Sequence, residues 1–377
     1  MFSRTDWIER IETAFEDRSV VWLKGVRRAG KTVLSRSLPD VEYFDCELPR
    51  TRRVLDDPET FLHDMRGTRV VLDEIHRLAN PSELLKIAAD HFPDVRILAT
   101  GSSTLGASSK FRDTLTGRKR TVWLTPMTLK DLDAFERPAL QHRLHRGGLP
   151  PHFLAATFPE SDYQEWLDSY WAKDIQELFR LERKASFQRL FEMIAVQSGG
   201  IFEATRFAAP CEISRQTVAN YLSVLEATMV VHVVRPYSTR GATELVSAPK
   251  VYAFDTGFVC HMRGWLEMRP DDLGSLWEHF VLNEIQAHRQ TQQINYWRDK
   301  NQHEIDFVLH RSGRPPDAIE CKWSADGFET RNLKAFRRRY PEGRNWVVCS
   351  DVDRPFERHA GDLAVRVVSI QQLIDEI

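Results

Sequence analysis

The sequence predicts an α/β chain: a doubly wound parallel sheet comes first, then a helical and winged-helix region, then a second α/β domain. Three observations carry the first part. Gly25-Val-Arg-Arg-Ala-Gly30-Lys31-Thr32 satisfies G-x-x-x-x-G-K-[ST] at every fixed position. Arg69-Val-Val-Leu-Asp73 is a continuous apolar run, of the kind buried in parallel sheets, and it ends in the acid pair Asp73-Glu74. Runs of this type alternate with helical periodicities through the first 125 residues, as a doubly wound sheet requires.

The totals allow this. The chain has 377 residues, enough for two or three domains, and its hydrophobic (42%) and charged (28%) fractions are ordinary for a globular protein. A net charge of −2 gives no global basic field, so any nucleic-acid surface must be local. The five cysteines lie far apart without a Cys-x-x-Cys, which argues against a zinc cluster and a secreted disulfide framework. No apolar run approaches a membrane span, and the N-terminus lacks a signal-peptide core. The expectation is a cytoplasmic protein with no membrane partner.

Trp7, Ile8, Ile11 and Phe15 recur at helical spacing and predict a helix on the sheet edge. The first strand, Val20-Val-Trp-Leu23, leads into the glycine loop, and a helix begins after it. Backbone N–H groups of such a loop wrap phosphates. Gly25, Arg28, Ala29, Gly30, Lys31, Thr32 and Val33 are therefore the expected nucleotide contacts. Lys31 would reach the β- and γ-phosphates of ATP, and the Thr32 hydroxyl would hold Mg²⁺. Val41-Glu-Tyr-Phe44 is the second strand and residues 69–73 the third. Asp73 would bind Mg²⁺ or its water, and Glu74 would polarise the attacking water. A helix over residues 82–92 precedes the fourth strand, Val95-Arg-Ile-Leu-Ala-Thr100. Beyond it, Ser102 or Ser103 has two open roles: hydrogen-bonding the γ-phosphate or its water, and capping the next helix. The fifth strand is Thr121-Val-Trp-Leu-Thr125. Just before it, Arg118 is a candidate for stabilising transition-state charge, in cis or across the subunits of a homo-oligomer. A surface ion pair is its other reading.

Taken together, GVRRAGKT, VVLDEIH, ILATGSS and GRKRTVWLTPMTLKDL resemble the AAA-type ATPases of bacteria and archaea fused to a C-terminal domain of unknown function. The resemblance covers nearly the whole chain. It implies an ATPase rather than a small-molecule kinase.

Residues 126–205 read as helical, with a loop signal at His145-Arg-Gly-Gly-Leu-Pro150 and a long helix through Trp166, Tyr170, Ile175 and Leu178. Such helices could form a lid over the nucleotide. Their mixed charges also suit a solvated face. Residues 206–260 read as a winged helix-turn-helix. Ser214 stands at an N-cap, Val218, Tyr221, Leu222 and Leu225 form a stripe, and Met229-Val-Val-His-Val-Val-Arg-Pro-Tyr237 begins a wing that turns near Gly241. Arg215, Gln216 and Asn220 would face outward, toward DNA or a protein partner.

Residues 261–377 hold the last cluster. On one helix Glu284 lies about 240° around the axis from Glu278, so only one serves a given site, and Glu278 is preferred. Asp306 lies on a strand, and Glu320 and Lys322 share one face of the next. Two carboxylates can hold Mg²⁺ against a phosphodiester while a lysine orients water. Asp306 and Glu320-x-Lys322, with Glu278 upstream, resemble the PD-(D/E)xK restriction-endonuclease-like core, although Ile305 stands where a proline often precedes the Asp. The resemblance implies Glu278, Asp306 and Glu320 as metal ligands and DNA as the partner. A degenerate fold kept for binding is the alternative. The basic helix Arg331-Asn-Leu-Lys334-Ala-Phe-Arg337-Arg-Arg-Tyr340 reads as a phosphate-contacting surface or a solvated face.

Overall fold

The computed structural model describes residues 4–101, 114–134, 140–158, 160–179, 181, 183–238 and 248–377. They form two compact units. Unit 1 is Met1–Ala139, Gly148–Lys184 and Ala227–Val230, and unit 2 is Leu140–Gly147, Ala185–Glu226 and Val231–Ile377.

Unit 1 is built on a parallel sheet of five strands: β1 (Val20–Lys24), β2 (Glu42–Asp45), β3 (Arg69–Asp73), β4 (Arg96–Thr100) and β5 (Lys119–Trp123). Their order is β2-β3-β4-β1-β5. Val20, Trp22, Val70, Leu72, Ile97 and Ala99 alternate into one core with Phe61, Leu84, Leu85 and Ala88. Val21, Leu23, Val71 and Leu98 point the other way and are buried as well. Burial on both faces is why these strands read as continuous apolar runs. β5 starts two residues before the apolar pattern does. Lys119, Arg120 and Thr121 are paired with Val20, Val21 and Trp22, and main-chain pairing to β1 sets that boundary.

The helix Thr5–Asp17 buries Trp7, Ile11, Ala14 and Phe15 and packs on β1 and the edge strand β5, with Ile8 half-buried. Ahead of it, the Arg4 guanidinium is buried against Asp131 (Nη2–Oδ2 2.6 Å) and donates to the carbonyl oxygens of Ala29 (3.1 Å) and Thr125. Asp131 also accepts from Trp7 Nε1 and Thr128 N. This network ties the N-terminal helix to the phosphate loop. Helices Leu129–Ala134, Pro150–Leu154 and Glu160–Tyr170 complete the unit. The last continues through a π-helical turn, Trp171–Ile175, into Gln176–Phe179. The expected long helix is present, and the π turn within it is a departure that the 3.6-residue period does not show.

The described residues of unit 2 hold nine strands: β6 (Gly200–Ile201), β7 (Val231–Pro236), β8 (Lys250–Ala253), β9 (Asn295–Arg298), β10 (Glu304–Leu309), β11 (Asp317–Lys322), β12 (Asn345–Cys349), β13 (Phe356–Ala360) and β14 (Leu363–Val368). They form one sheet in the order β13-β14-β12-β11-β10-β9-β7-β8-β6. Helices Lys184–Val196, Ala204–Ala208 and Arg215–Ala227 precede the antiparallel β7–β8 pair, and Ser214 Oγ caps the third by accepting from Thr217 N at 3.1 Å. The turn at Gly241 lies outside the described residues. β7 also pairs in parallel with β9, Arg235 beside Asn295, so the hairpin and the C-terminal strands share one sheet. That pairing covers a β7 edge that would otherwise expose main-chain groups.

The long helix Pro270–Arg289 buries Trp277, Phe280, Val281 and Ile285 and packs on β11. β13 escapes the sequence pattern because it is a largely exposed edge strand. The basic helix Arg331–Arg339 corrects one expectation. Arg331, Lys334 and Arg338 are exposed, but Arg337 is caged by the carbonyl oxygens of Pro316, Tyr340 and Arg344 and by Asn345 Oδ1, and burial pushes its guanidinium down to about 10. Arg337 holds a turn and is not available to phosphate. All five cysteines are buried free thiols, and among the described residues no helix is long and apolar enough to cross a membrane.

The Arg4–Asp131 pair should dominate the stability of this corner. Arg4→Met leaves a buried carboxylate uncompensated and is expected to cost about 3–5 kcal/mol in urea denaturation at neutral pH. Burial alone would raise the Asp131 carboxyl, but Arg4 outweighs it and holds it below the ordinary range. The pair's contribution is therefore complete above about pH 4 and lost as pH falls through the depressed folded value.

Candidate functional site

The parallel register brings the carboxyl ends of β1, β2, β3 and β4 to one edge: Leu23 pairs with Thr100 and Asp45 with Asp73. The phosphate loop leaves β1 at this edge. Gly25 has no room for a side chain, because a Cβ there would lie 2.4 Å from the Leu124 carbonyl oxygen. Gly30 (φ +98°) and Arg28 (φ 63°) are left-handed, and this bends the chain back before the helix Lys31–Arg36. Ala29 is held from below by Arg4. The Lys31 ammonium lies over the loop and donates to the carbonyl oxygens of Gly25 (2.9 Å) and Val26 (3.1 Å). Burial lowers its pKa, against the pull of Glu74 and Asp174.

Asp73, 4% exposed, is the hub. Its Oδ2 accepts from Thr32 Oγ1 at 2.9 Å and from the Tyr43 hydroxyl, and its Oδ1 accepts from Thr100 Oγ1. Thr32 and Asp73 thus place hard oxygen ligands side by side at the loop, a donor set that fits Mg²⁺. Glu74 follows in a left-handed conformation (φ 54°), its backbone N–H on Thr100 Oγ1 at 3.2 Å and its carboxylate 3.1 Å from His76 Nδ1. Burial works to raise the Glu74 carboxyl. The His76 hydrogen bond and the Lys31 charge outweigh it and hold it at about 2, so Glu74 is ionised at neutral pH.

Gly25, Gly30, Lys31, Thr32, Val33 and Glu74 line one cavity of about 470 Å³. Two further charged groups in its wall are absent from the motif reading. Arg27 donates through Nε to Asp174 Oδ2 at 3.1 Å, and Trp166 Nε1 donates to the Arg27 carbonyl. Arg28 pairs with Glu165. Arg27 fills an unspecified position of the pattern, and Asp174 sits in the π turn, which re-aims one side chain of an otherwise regular helix. No sequence signal marks that turn. Tyr43 and Thr100 were legible only as strand residues, and the useful hydroxyl on β4 is Thr100, two residues before Ser102.

Ser102 and Ser103 lie outside the described residues. Arg118 is not brought to the loop. It precedes β5, whose first residue pairs with Val20, so it stands at the amino ends of the strands, about 16 Å of strand from the loop. There its Nε is 2.7 Å from Asp90 Oδ1 in a half-exposed ion pair.

In unit 2 the four residues singled out in the sequence lie near one another, and two lysines divide the acids between them: Lys322 on Glu320 and Lys250 on Glu278. The β10–β11 register, continued one step past Phe307 beside Ile319, sets Asp306 opposite Glu320. Lys322 Nζ lies 3.1 Å from Glu320 Oε2, and Asp306 Oδ2 accepts from Cys321 N at 2.7 Å. Glu278 accepts from Lys250 Nζ at 3.0 Å and from the Tyr252 hydroxyl, and Lys250 also pairs with Glu304. Burial and the charges of Glu278 and Glu320 push the Asp306 carboxyl well up, and burial raises Glu320. Burial would raise Glu278 too, but Lys250 outweighs it. The expected trio of metal ligands does not fit as it stands: among the described residues no three acidic, histidine or cysteine side chains are grouped to hold one ion. Lys250 and Tyr252 belong to no motif that marks them in the sequence.

Two outcomes test this geometry. Gly25→Ala should cost about 1–3 kcal/mol and abolish binding of a fluorescent ATP analogue, because the new methyl meets a main-chain oxygen. His76→Ala should raise the Glu74 carboxyl from about 2 toward the ordinary range, read by ¹³C carboxyl NMR titration. Because the folded value is depressed, stability contributed by Glu74 is present above about pH 4 and lost between there and pH 2.

Comparison with known proteins finds three matched stretches, of which the second runs through segments of both units. Residues 17–132 match the family model described as an AAA domain, residues 137–269 a domain of unknown function (DUF8612) and residues 273–373 another (DUF4143). Over 329 residues the chain is 30% identical to uncharacterized protein Rv2008c of Mycobacterium tuberculosis and to Mb2031c of Mycobacterium bovis, covering 84% of this chain and 73% of each relative. Among solved structures, the Walker-type ATPase PABY2304 of Pyrococcus abyssi aligns with TM-score 0.46 at 16% identity, over 70% of this chain and 96% of that one. A signal transduction ATPase with numerous domains, PH0952 of Pyrococcus horikoshii, aligns with TM-score 0.28 at 10% identity, over 74% and 46%. The chain belongs to the family of the two mycobacterial proteins, and its first third is an AAA domain.

Proposed function

We propose that the chain binds and hydrolyses ATP in unit 1 and that nucleotide state controls a DNA-acting unit 2. One observation supports the first half above all others: Lys31, Thr32 and Glu74 line a single cavity, with Asp73 2.9 Å from the Thr32 hydroxyl. In this reading residues 1–125 are the ATPase core. Loop N–H groups and Lys31 bind the β- and γ-phosphates, and Ser102, outside the described residues, is a further candidate contact. Thr32 and Asp73 would hold Mg²⁺, which when bound neutralises phosphate charge. Glu74, kept ionised by His76 and Lys31, orients a water toward the terminal phosphate. Val33 and Leu154, 46% and 38% exposed, offer with Pro150 and Pro151 an apolar wall for the base. Arg118, far from the loop of its own chain, would serve catalysis only across the boundary of a homo-oligomer. Five unpaired thiols support a reducing, cytoplasmic setting.

For unit 2, the helix order before the β7–β8 hairpin supports a winged helix. Arg215, Gln216 and Asn220 are exposed on its third helix, as a DNA-reading face would be. Binding without cleavage is the reading favoured by Lys250 within the acid cluster. The convergence of Asp306, Glu320 and Lys322 supports a second reading, Mg²⁺-dependent cleavage on a restriction-endonuclease-like fold. A small-molecule phosphotransferase is disfavoured by Glu74, which suits water activation.

Lys31→Ala should lower phosphate release from ATP at least about 100-fold, and Glu74→Gln should do the same while leaving ATP binding intact. Hydrolysis that survives Lys31→Ala would refute the ATPase assignment. ATPase assays with single-stranded, duplex and branched DNA are expected to show stimulation by one form, lost in Arg215→Glu. Divalent-dependent cutting that disappears in Asp306→Ala would instead establish the cleavage reading.

A further inference from the structure

The acid cluster of unit 2 is built around a cation that belongs to the chain itself. Lys250 and Tyr252 lie two residues apart on β8, held in register by pairing with Val234 and His232, and so project from one face. Both donate to the same oxygen, Glu278 Oε1, the lysine from 3.0 Å. The same ammonium pairs with Glu304, whose other oxygen is 3.4 Å from Arg298 Nη1. The Lys250 side chain is 5% exposed. An ammonium taken this far out of water costs several kcal/mol unless carboxylates surround it, and here they do. Elsewhere in the cluster Lys322 pairs with Glu320 Oε2, and the Glu320 carboxylate, in a residue 2% exposed, has Asn332 as its other side-chain neighbour.

We propose that the Lys250 ammonium is the resident counter-cation of this cluster, so that Glu278, Asp306 and Glu320 take up no divalent ion while it is in place, and that removing this one positive charge turns the cluster into a Mg²⁺ or Mn²⁺ site. Two physical arguments carry it. Ammonium and divalent ion compete for the same Glu278 lone pairs, and their like charges repel across a buried site where screening is weak. Without Lys250, the positive side chains that remain paired with these acids among the described residues are Lys322, on Glu320, and Arg298, on Glu304. The buried Glu320 carboxylate then offers a hard, already desolvated oxygen ligand of the kind a small divalent cation takes. Lys250 thereby decides whether this cluster uses metal, and the inference stands whether or not the chain binds DNA.

The experiment is a Mn²⁺ titration of the full chain, without nucleotide, followed by electron paramagnetic resonance of the free ion. Wild type and Asp306→Asn are expected to give superimposable curves. Lys250→Met should bind one additional Mn²⁺ per chain, at least about tenfold tighter than any ion on wild type, and Lys250→Met combined with Glu320→Gln should lose it again. Circular dichroism checks the fold of each variant, and Lys250→Gln replaces the methionine variant if that one unfolds. A wild-type ion that Asp306→Asn abolishes would overturn the proposal, as would a folded Lys250→Met or Lys250→Gln that gains no ion. If neither variant folds, the wild-type comparison decides: coincident curves support the resident cation, and an Asp306-dependent ion refutes it.

Discussion

A single carboxylate at the end of β3 governs the first unit. Asp73 is nearly enclosed by protein, and an ion in that position persists only when its lone pairs are occupied. Three hydroxyls occupy them, from Thr32 at the start of the loop helix, Tyr43 on β2 and Thr100 on β4. Each belongs to a different segment, so satisfying one charge fixes four pieces of chain relative to each other. The strand order makes this possible: β4 lies between β1 and β3, and its terminal threonine bridges the gap. The same bonds hold Thr32 where an oxygen-preferring cation would be taken. Thr100 also receives the Glu74 N–H, which places that carboxylate beside the loop.

Unit 2 solves the same electrostatic problem by another route. There the acids outnumber the hydroxyls available, and compensation comes from ammonium groups: Lys322 on Glu320, and Lys250 shared by Glu278 and Glu304. Hydroxyl dipoles bring no positive charge to the carboxylate they bond. Compensation by a lysine largely cancels its charge. The two sites therefore differ in the number of acids and in the kind of partner that surrounds them.

The strands of both sheets were legible because burial on one or both faces imposes an apolar pattern on the chain itself. β3 and β10 begin and end where the pattern does, and Ser214 announced its helix because an N-cap is a local interaction. The phosphate loop was legible for a related reason: Gly25 and Gly30 answer backbone demands within a few residues. Elements fixed by neighbours rather than by their own side chains were not. β5 starts early because β1 pairs with it, β13 is an exposed edge, and the β7–β9 pairing joins residues some 60 positions apart. Arg118 carried two readings by its place in the chain, and strand direction sets it at the amino edge of the sheet beside Asp90, the ion-pair arrangement.

Sequence alone determined the kinds of chemistry this protein can hold: a loop shaped for phosphate, an acid pair at a strand end, and Asp306 with Glu320 and Lys322 on adjoining strands. Those follow from short-range rules, because a motif and a two-residue or 3.6-residue period are properties of contiguous chain. Only the folded molecule decided which charges meet. Asp174 reaches Arg27 through a π turn, His76 folds back on Glu74, and Lys250 enters an acid cluster from a strand some 28 to 70 residues away in the chain. Electrostatic energy depends on distance in space and on burial, and neither is written in the order of residues.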